Sequence, residues 1–144
     1  MTITSLHPRR AARECILKAV FAYYYSNNDG SIIIGQLIEK YPKIKKNKDF
    51  IKLLFNYVIK HMVWTEKLIK SHLENWEIDR VAQIDKILLK MGICEIYFID
   101  DIPPKVTISE MVEISKIYST DESPVFINGI LDAVYKDYQK QKKV

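Results

Sequence analysis

Cysteine, glycine and proline are all scarce in this chain: two, four and five residues among 144. The two cysteines, Cys15 and Cys94, stand 79 positions apart, which rules out zinc-ligand spacing and a disulfide framework. Each falls within a predicted helix, so buried free thiols in a reducing compartment are expected. With so little glycine there is neither a phosphate-cradling loop nor a nucleophile elbow. Low glycine and proline together also argue against a low-complexity or disordered chain. No apolar run approaches the roughly 18 residues that a membrane-spanning helix needs. The N-terminus carries no apolar signal segment, so a cytoplasmic location with no membrane partner is expected. Sustained two-residue alternation and internal repeats are missing too, which removes the usual strand and solenoid signatures.

What is present suffices for a core. Hydrophobic residues make up 48% of the sequence. A chain of this length is expected to form one domain, residues 1–144, burying about 68–70% of its unfolded surface. Behind a net charge of +4, the charges are unevenly spread. Residues 1–18 carry four Lys/Arg against one Glu, and residues 39–60 carry seven Lys against two acids. Residues 91–135 reverse the sign, with eight acids against two Lys. A polyanion is drawn to the N-terminal half, whereas the acidic stretch offers itself to a basic partner.

Apolar spacing predicts helices throughout. Ala12, Ile16, Ala19, Val20 and Tyr23 repeat at helical intervals over about Pro8 to Ser26, and Asn27-Asn28-Asp29-Gly30 stops the run. A second helix is predicted over Ile32 to Tyr41, followed by an exposed loop at Pro42 to Lys46. A third, long helix, which Asn47 can cap, carries the stripe Phe50, Leu53, Leu54, Tyr57, Val58, His61 and Leu68; whether it runs unbroken or breaks near Trp64-Thr65 is not settled by the sequence. From about Asp79 to Ile99 the pattern is apolar nearly all round; 10 of the 13 residues from Ile87 are hydrophobic. Such a helix is wrapped by others and forms the central element. The fold class is all-α, a compact single-domain helical bundle.

Residues 101–132 carry the densest punctuation. Asp101-Ile102-Pro103-Pro104 is a rigid break, because proline cannot continue a helix and extends its predecessor. Thr107 and Glu110 spell a capping box, which starts a helix there. Ser123-Pro124 opens another, with serine as N-cap and proline at the first helical position. Gly129 lies inside that helix at a cost of roughly 1 kcal/mol relative to alanine, tolerated most easily where a backbone or ligand comes close.

Arg9, Arg10 and Arg13 share one side of the first helical turns. Cations are disfavoured there by the helix macrodipole, and guanidinium groups beside free helix N–H groups suit phosphate. The competing reading is a solvated face with an Arg10–Glu14 pair. On the last helix Ile127, Ile130, Leu131 and Val134 define the core face, leaving Phe126 on the flank. Phe126 either covers the core edge or stacks an unpaired base. The lysines at 43, 45, 46 and 48 read first as a solvated loop, placed to add nonspecific phosphate attraction. Asp100-Asp101 is explained by loop capping, and His7, His61 and His72 are scattered. No catalytic residue, metal or cofactor is expected, and the chain reads as a non-enzyme.

Order and spacing of these short motifs resemble the NusB family of bacterial transcription antitermination factors. The resemblance rests on Arg9-Arg10-Ala11-Ala12-Arg13-Glu14, Trp76 with Arg80, Ile84-Asp85, Glu95, Asp101-Ile102-Pro103, Ser123, Phe126 and Asn128-Gly129. It implies two small helical sub-bundles sharing a long central helix. It further implies binding of boxA-like single-stranded RNA together with ribosomal protein NusE, within the RNA polymerase antitermination complex on ribosomal RNA operons. By the same resemblance Arg9, Arg10, Arg13, Glu122, Ser123 and Phe126 contact RNA, and Asp85 contacts the protein partner. Many members have Asp where this chain has Glu122. Trp76 is assigned a structural role as a core lid, and a buried Glu95 requires a hydrogen-bonding partner. The alternative is a helical protein–protein scaffold without specific RNA binding.

Overall fold

Helical spacing becomes helix throughout the computed structural model, which describes residues 7–74 and 77–142. Trp76, considered above, lies outside the described residues. Among those residues there are α-helices and short 3₁₀ turns but no strand, so the all-α expectation holds. None of the helices is long and apolar enough to cross a membrane. The chain divides into two compact units, Met1–Lys60 and His61–Val144.

In the first unit, α1 spans Pro8–Tyr25, with Pro8 supplying a backbone angle already suited to helix entry. A run from Ala11 to Leu17 is wholly buried, and it includes Arg13 and Glu14. The Asn-Asn-Asp-Gly segment both ends α1 and begins α2 (Gly30–Lys40), because the Asp29 carboxylate accepts the Ser31 backbone N–H at 2.8 Å. Residues Pro42–Asn47 are not the open loop expected from their lysines. They form a 3₁₀ turn pinned by Ile44, which has no exposed surface. Helix α3 (Lys48–Lys60) packs on α1, burying Ile51, Leu54, Phe55 and Val58. The buried stripe is thus rotated from the expected one, and Leu53 faces solvent.

The second unit starts at the helix break, which falls at His61 rather than near Trp64-Thr65. There the Thr65 hydroxyl donates back to the His61 carbonyl at 2.8 Å as α4 (Met62–Ser71) begins. After a 3₁₀ turn at Ile78–Arg80, α5 (Gln83–Phe98) is the predicted central element. It is buried without interruption from Ile87 to Ile96 and packs against α4, α6 and α7. Helix α6 (Pro104–Tyr118) begins three residues before the anticipated Thr107, with proline at its first position. Thr107 does not cap. Its buried hydroxyl donates to Glu95 Oε1 at 3.0 Å, supplying the partner that Glu95 needs. Helix α7 (Ser123–Lys142) buries Ile127, Ile130, Leu131 and Val134, the core face read from spacing.

Two glycines exchange roles. A Cβ on Gly92 of α5 would lie 2.7 Å from Leu131 Cδ1, so glycine is what lets α5 and α7 approach. A Cβ on Gly129 would meet nothing within 4 Å, so the close approach anticipated at that position is made at Gly92. The same substitution therefore has opposite signs. Urea unfolding is expected to lose about 1–2 kcal/mol in Gly92→Ala, through overpacking, and to gain roughly 1 kcal/mol in Gly129→Ala, through helix propensity. Equal effects at both positions would contradict this packing. Burial also pushes the Cys15 and Cys94 thiols up to about 12, with the neighbouring Glu95 carboxylate adding to the effect at Cys94. Both thiols stay protonated at neutral pH, so iodoacetamide should label them only after unfolding. Rapid labelling of the native protein would overturn their placement.

Candidate nucleic-acid interface

Arg9, Arg10 and Arg13 do not share one environment, although they sit on successive turns of α1. Arg9 is exposed and Arg10 half-buried, whereas Arg13 is 2% exposed. Phe50, at the start of α3, organises two of them. The Arg9 Cζ lies 4.1 Å from the Phe50 ring centroid and the Arg13 Cζ 5.3 Å from it. A guanidinium stacked on a ring keeps its in-plane N–H donors directed outward, which suits phosphate better than a freely rotating side chain. Arg13 thus packs inside the unit, while Arg9 and Arg10 retain surface. Phe50 was read from sequence only as part of a core stripe. The arginine contact joins α1 to α3 and depends on the turn between them, so no local pattern announces it.

The second group lies at the start of α7. Glu122 is exposed and Phe126 half-buried, but Ser123 is 1% exposed and points into a network. Its hydroxyl donates to Asp85 Oδ2 at 2.8 Å, and the Ser119 hydroxyl donates to Asp85 Oδ1 at 2.6 Å. The Thr120 backbone N–H donates to Ser123 Oγ at 3.2 Å. Asp85 and Ser123, expected as partner and RNA contacts, are both turned inward here. Asp85 is 5% exposed, with both oxygens committed to the hydroxyls that shape the α6–α7 connection. Its carboxylate also sits in the first turn of α5, the favourable end for an anion. What the network does is fix the entry of α7, the segment bearing Glu122 and Phe126. Beyond them, Val125 is 80% exposed and Asn128 and Gly129 face outward, so this part of α7 offers a face with little side-chain bulk.

His61 and His72 have structural partners. His61 stacks on Phe98 with ring centroids 4.5 Å apart, and His72 Nε2 lies 2.8 Å from Asp137 Oδ2. Asp100 and Asp101 are exposed in the turn before Pro103.

Known proteins resemble this chain over most of its length. The model of the NusB family matches residues 10–136. The transcription antitermination protein NusB of Chloroherpeton thalassium is 40% identical over 134 residues, covering 92% of this chain and 64% of that relative. The chain therefore spans a little under two thirds of that relative's length. NusB of Salinibacter ruber is 35% identical over 137 residues, covering 94% of this chain and 86% of the relative. NusB of Methylacidiphilum infernorum is 41% identical over 132 residues, covering 90% and 91%. A solved structure of T. maritima NusB superposes with a TM-score of 0.80 at 33% identity, covering 90% of this chain and 92% of that one. A structure of antitermination factors NusB and NusE with dsRNA has the same fold, with a TM-score of 0.81 at 23% identity over 93% of this chain and 100% of that one.

Removing the Asp85 carboxylate takes an acceptor from the buried Ser123 hydroxyl and from the half-buried Ser119 hydroxyl. Asp85→Ala is expected to lower the urea unfolding free energy by about 2–3 kcal/mol, and Ser123→Ala by about 1 kcal/mol. Because the two residues share one network, the double variant should lose less than the sum. Additive losses would show that the hydroxyl and the carboxylate act independently.

Proposed function

This chain belongs to the NusB family, and on that premise we propose that it is a transcription antitermination factor that binds boxA-like single-stranded RNA together with NusE. It acts in the cytoplasm by positioning, without covalent chemistry. The observation that carries this reading is Arg9, exposed at the start of α1 and held 4.1 Å over Phe50. A stability-only sequence would place an acid at that end of a helix. An arginine stacked on an aromatic ring and facing solvent is instead a pre-oriented phosphate ligand.

RNA contact is assigned to Arg9 and Arg10 on α1, and to Phe126 with Glu122 at the start of α7. The arginines take phosphate oxygens, and Phe126 stacks an unpaired base, worth roughly 1–3 kcal/mol. Glu122 repels phosphate and is suited to accept from a base edge. Phe50 holds Arg9 and also contacts the buried Arg13, while Asp85 and Ser123 hold the start of α7, so these residues act through neighbours. NusE binds the same adaptor, and its own hold on RNA raises the effective concentration of each component for the others.

The test is binding of a short boxA-type RNA, with and without NusE, across a salt series. Affinity should rise with NusE present. Arg9→Ala and Arg10→Ala should each weaken binding severalfold and flatten the salt dependence by about 0.7 in log–log slope, as expected for one phosphate contact on a single strand. Phe126→Ala should weaken binding by about tenfold with the slope unchanged. A plain helical scaffold predicts no loss from any of these variants. Binding that is indifferent both to NusE and to the arginines would sink the proposal.

A further inference from the structure

The lysines that follow α2 form a second cationic surface that the boxA reading does not use. Residues 39–60 hold seven lysines against Glu39 and Asp49. Lys45, Lys46 and Lys48 are exposed and make no ion pair among the described residues. They are not on a loose loop. Ile44, with no exposed surface, anchors the 3₁₀ turn Pro42–Asn47 in the core, and α3 starts at Lys48. Three like charges within four residues repel one another, and the fixed backbone keeps their stems rooted close together. The arrangement is electrostatically unfavourable for the isolated protein and favourable against a line of anions. Phe50 follows two residues after Lys48, and the same ring carries the Arg9 guanidinium at 4.1 Å. One short stretch of chain thus carries both the lysines and the aromatic seat of the arginine.

We propose that Lys45, Lys46 and Lys48 bind the phosphates of nucleotides flanking the boxA-like element, extending the RNA track past Arg9. The inference rests on the RNA-binding reading above. Its ligand is single-stranded RNA backbone of any sequence, because ammonium groups on flexible stems attract phosphate without reading bases. The footprint on RNA is therefore longer than the element that confers specificity.

The experiment compares three RNAs across a salt series: the boxA-type element alone, and the element extended by several nucleotides at either end. Each is titrated with the full chain, with the K45A/K46A/K48A variant and with the K45R/K46R/K48R variant. Wild type should bind one extended RNA more tightly than the bare element and with a steeper salt dependence. The alanine variant should lose that gain, its log–log slope on the extended RNA falling by about 2, from three contacts at roughly 0.7 each. On the bare element it should match wild type, and the arginine variant should keep the slope throughout. The inference is overturned if extension brings wild type no gain, or if the alanine variant weakens equally on every RNA. A variant that binds RNA normally but loses NusE would assign the lysines to a protein partner and overturn it too. Failure of wild type to bind even the bare element would take down the functional reading along with this one. Binding of the element without gain from extension removes only the lysine track.

Discussion

A helix buried on every side must find partners for each polar side chain it carries, and α5 sets the second unit by that requirement. Three charged residues on it are nearly or wholly out of solvent: Asp85, Lys90 and Glu95. Each reaches a different neighbour. Asp85 accepts from Ser119 and Ser123 around the start of α7, Lys90 Nζ lies 3.6 Å from Glu66 on α4, and Glu95 accepts from Thr107 on α6. Apolar surface alone would bind α4, α6 and α7 to α5 with little preference for register, since burial is non-directional. A buried charge without its partner is costly, so each pairing rejects arrangements that leave it unmatched. Gly92 contributes the steric counterpart, allowing Leu131 to pass where a methyl group would stand.

The functional consequence is delivered at the end of this chain of contacts. Asp85 settles how α7 begins, and the start of α7 carries Glu122 and Phe126. A buried carboxylate thereby governs how that exposed segment is presented. The first unit works by a related economy of parts: Ile44 fixes a turn, Phe50 seats Arg9, and the turn and α3 place lysines nearby. Rigidity at these positions matters because a phosphate contact that has to be organised on binding loses affinity to side-chain ordering.

Much of this was legible in the sequence, unevenly and for identifiable reasons. The core face of α7 and the wrapping of α5 followed from spacing, because burial of a helix face repeats with the helix itself. The start of α6 was misplaced because Thr107 and Glu110 imitate a capping box, whereas Pro104 at the first helical turn decides the matter and Thr107 is drawn to Glu95, 12 residues earlier. The stripe of α3 was rotated because Leu53 and Tyr57 are apolar enough to pass for core. Arg13 read as an equal of Arg9 since both lie near one side of a helix and both reach Phe50, and only burial in the folded unit separates them. Asp85 and Ser123 read as surface contacts because a pair 38 residues apart leaves no local trace.

The sequence by itself determined the all-α class, the order of the main helices, the family and the places where cations gather. Those properties are local or additive: periodicity, caps, prolines and charge are carried by neighbouring residues. Tertiary structure alone decided which of the charged residues face solvent and which serve as internal ties. That choice depends on what a distant helix brings opposite each side chain, and desolvation makes the difference between a matched and an unmatched charge too large for the fold to ignore.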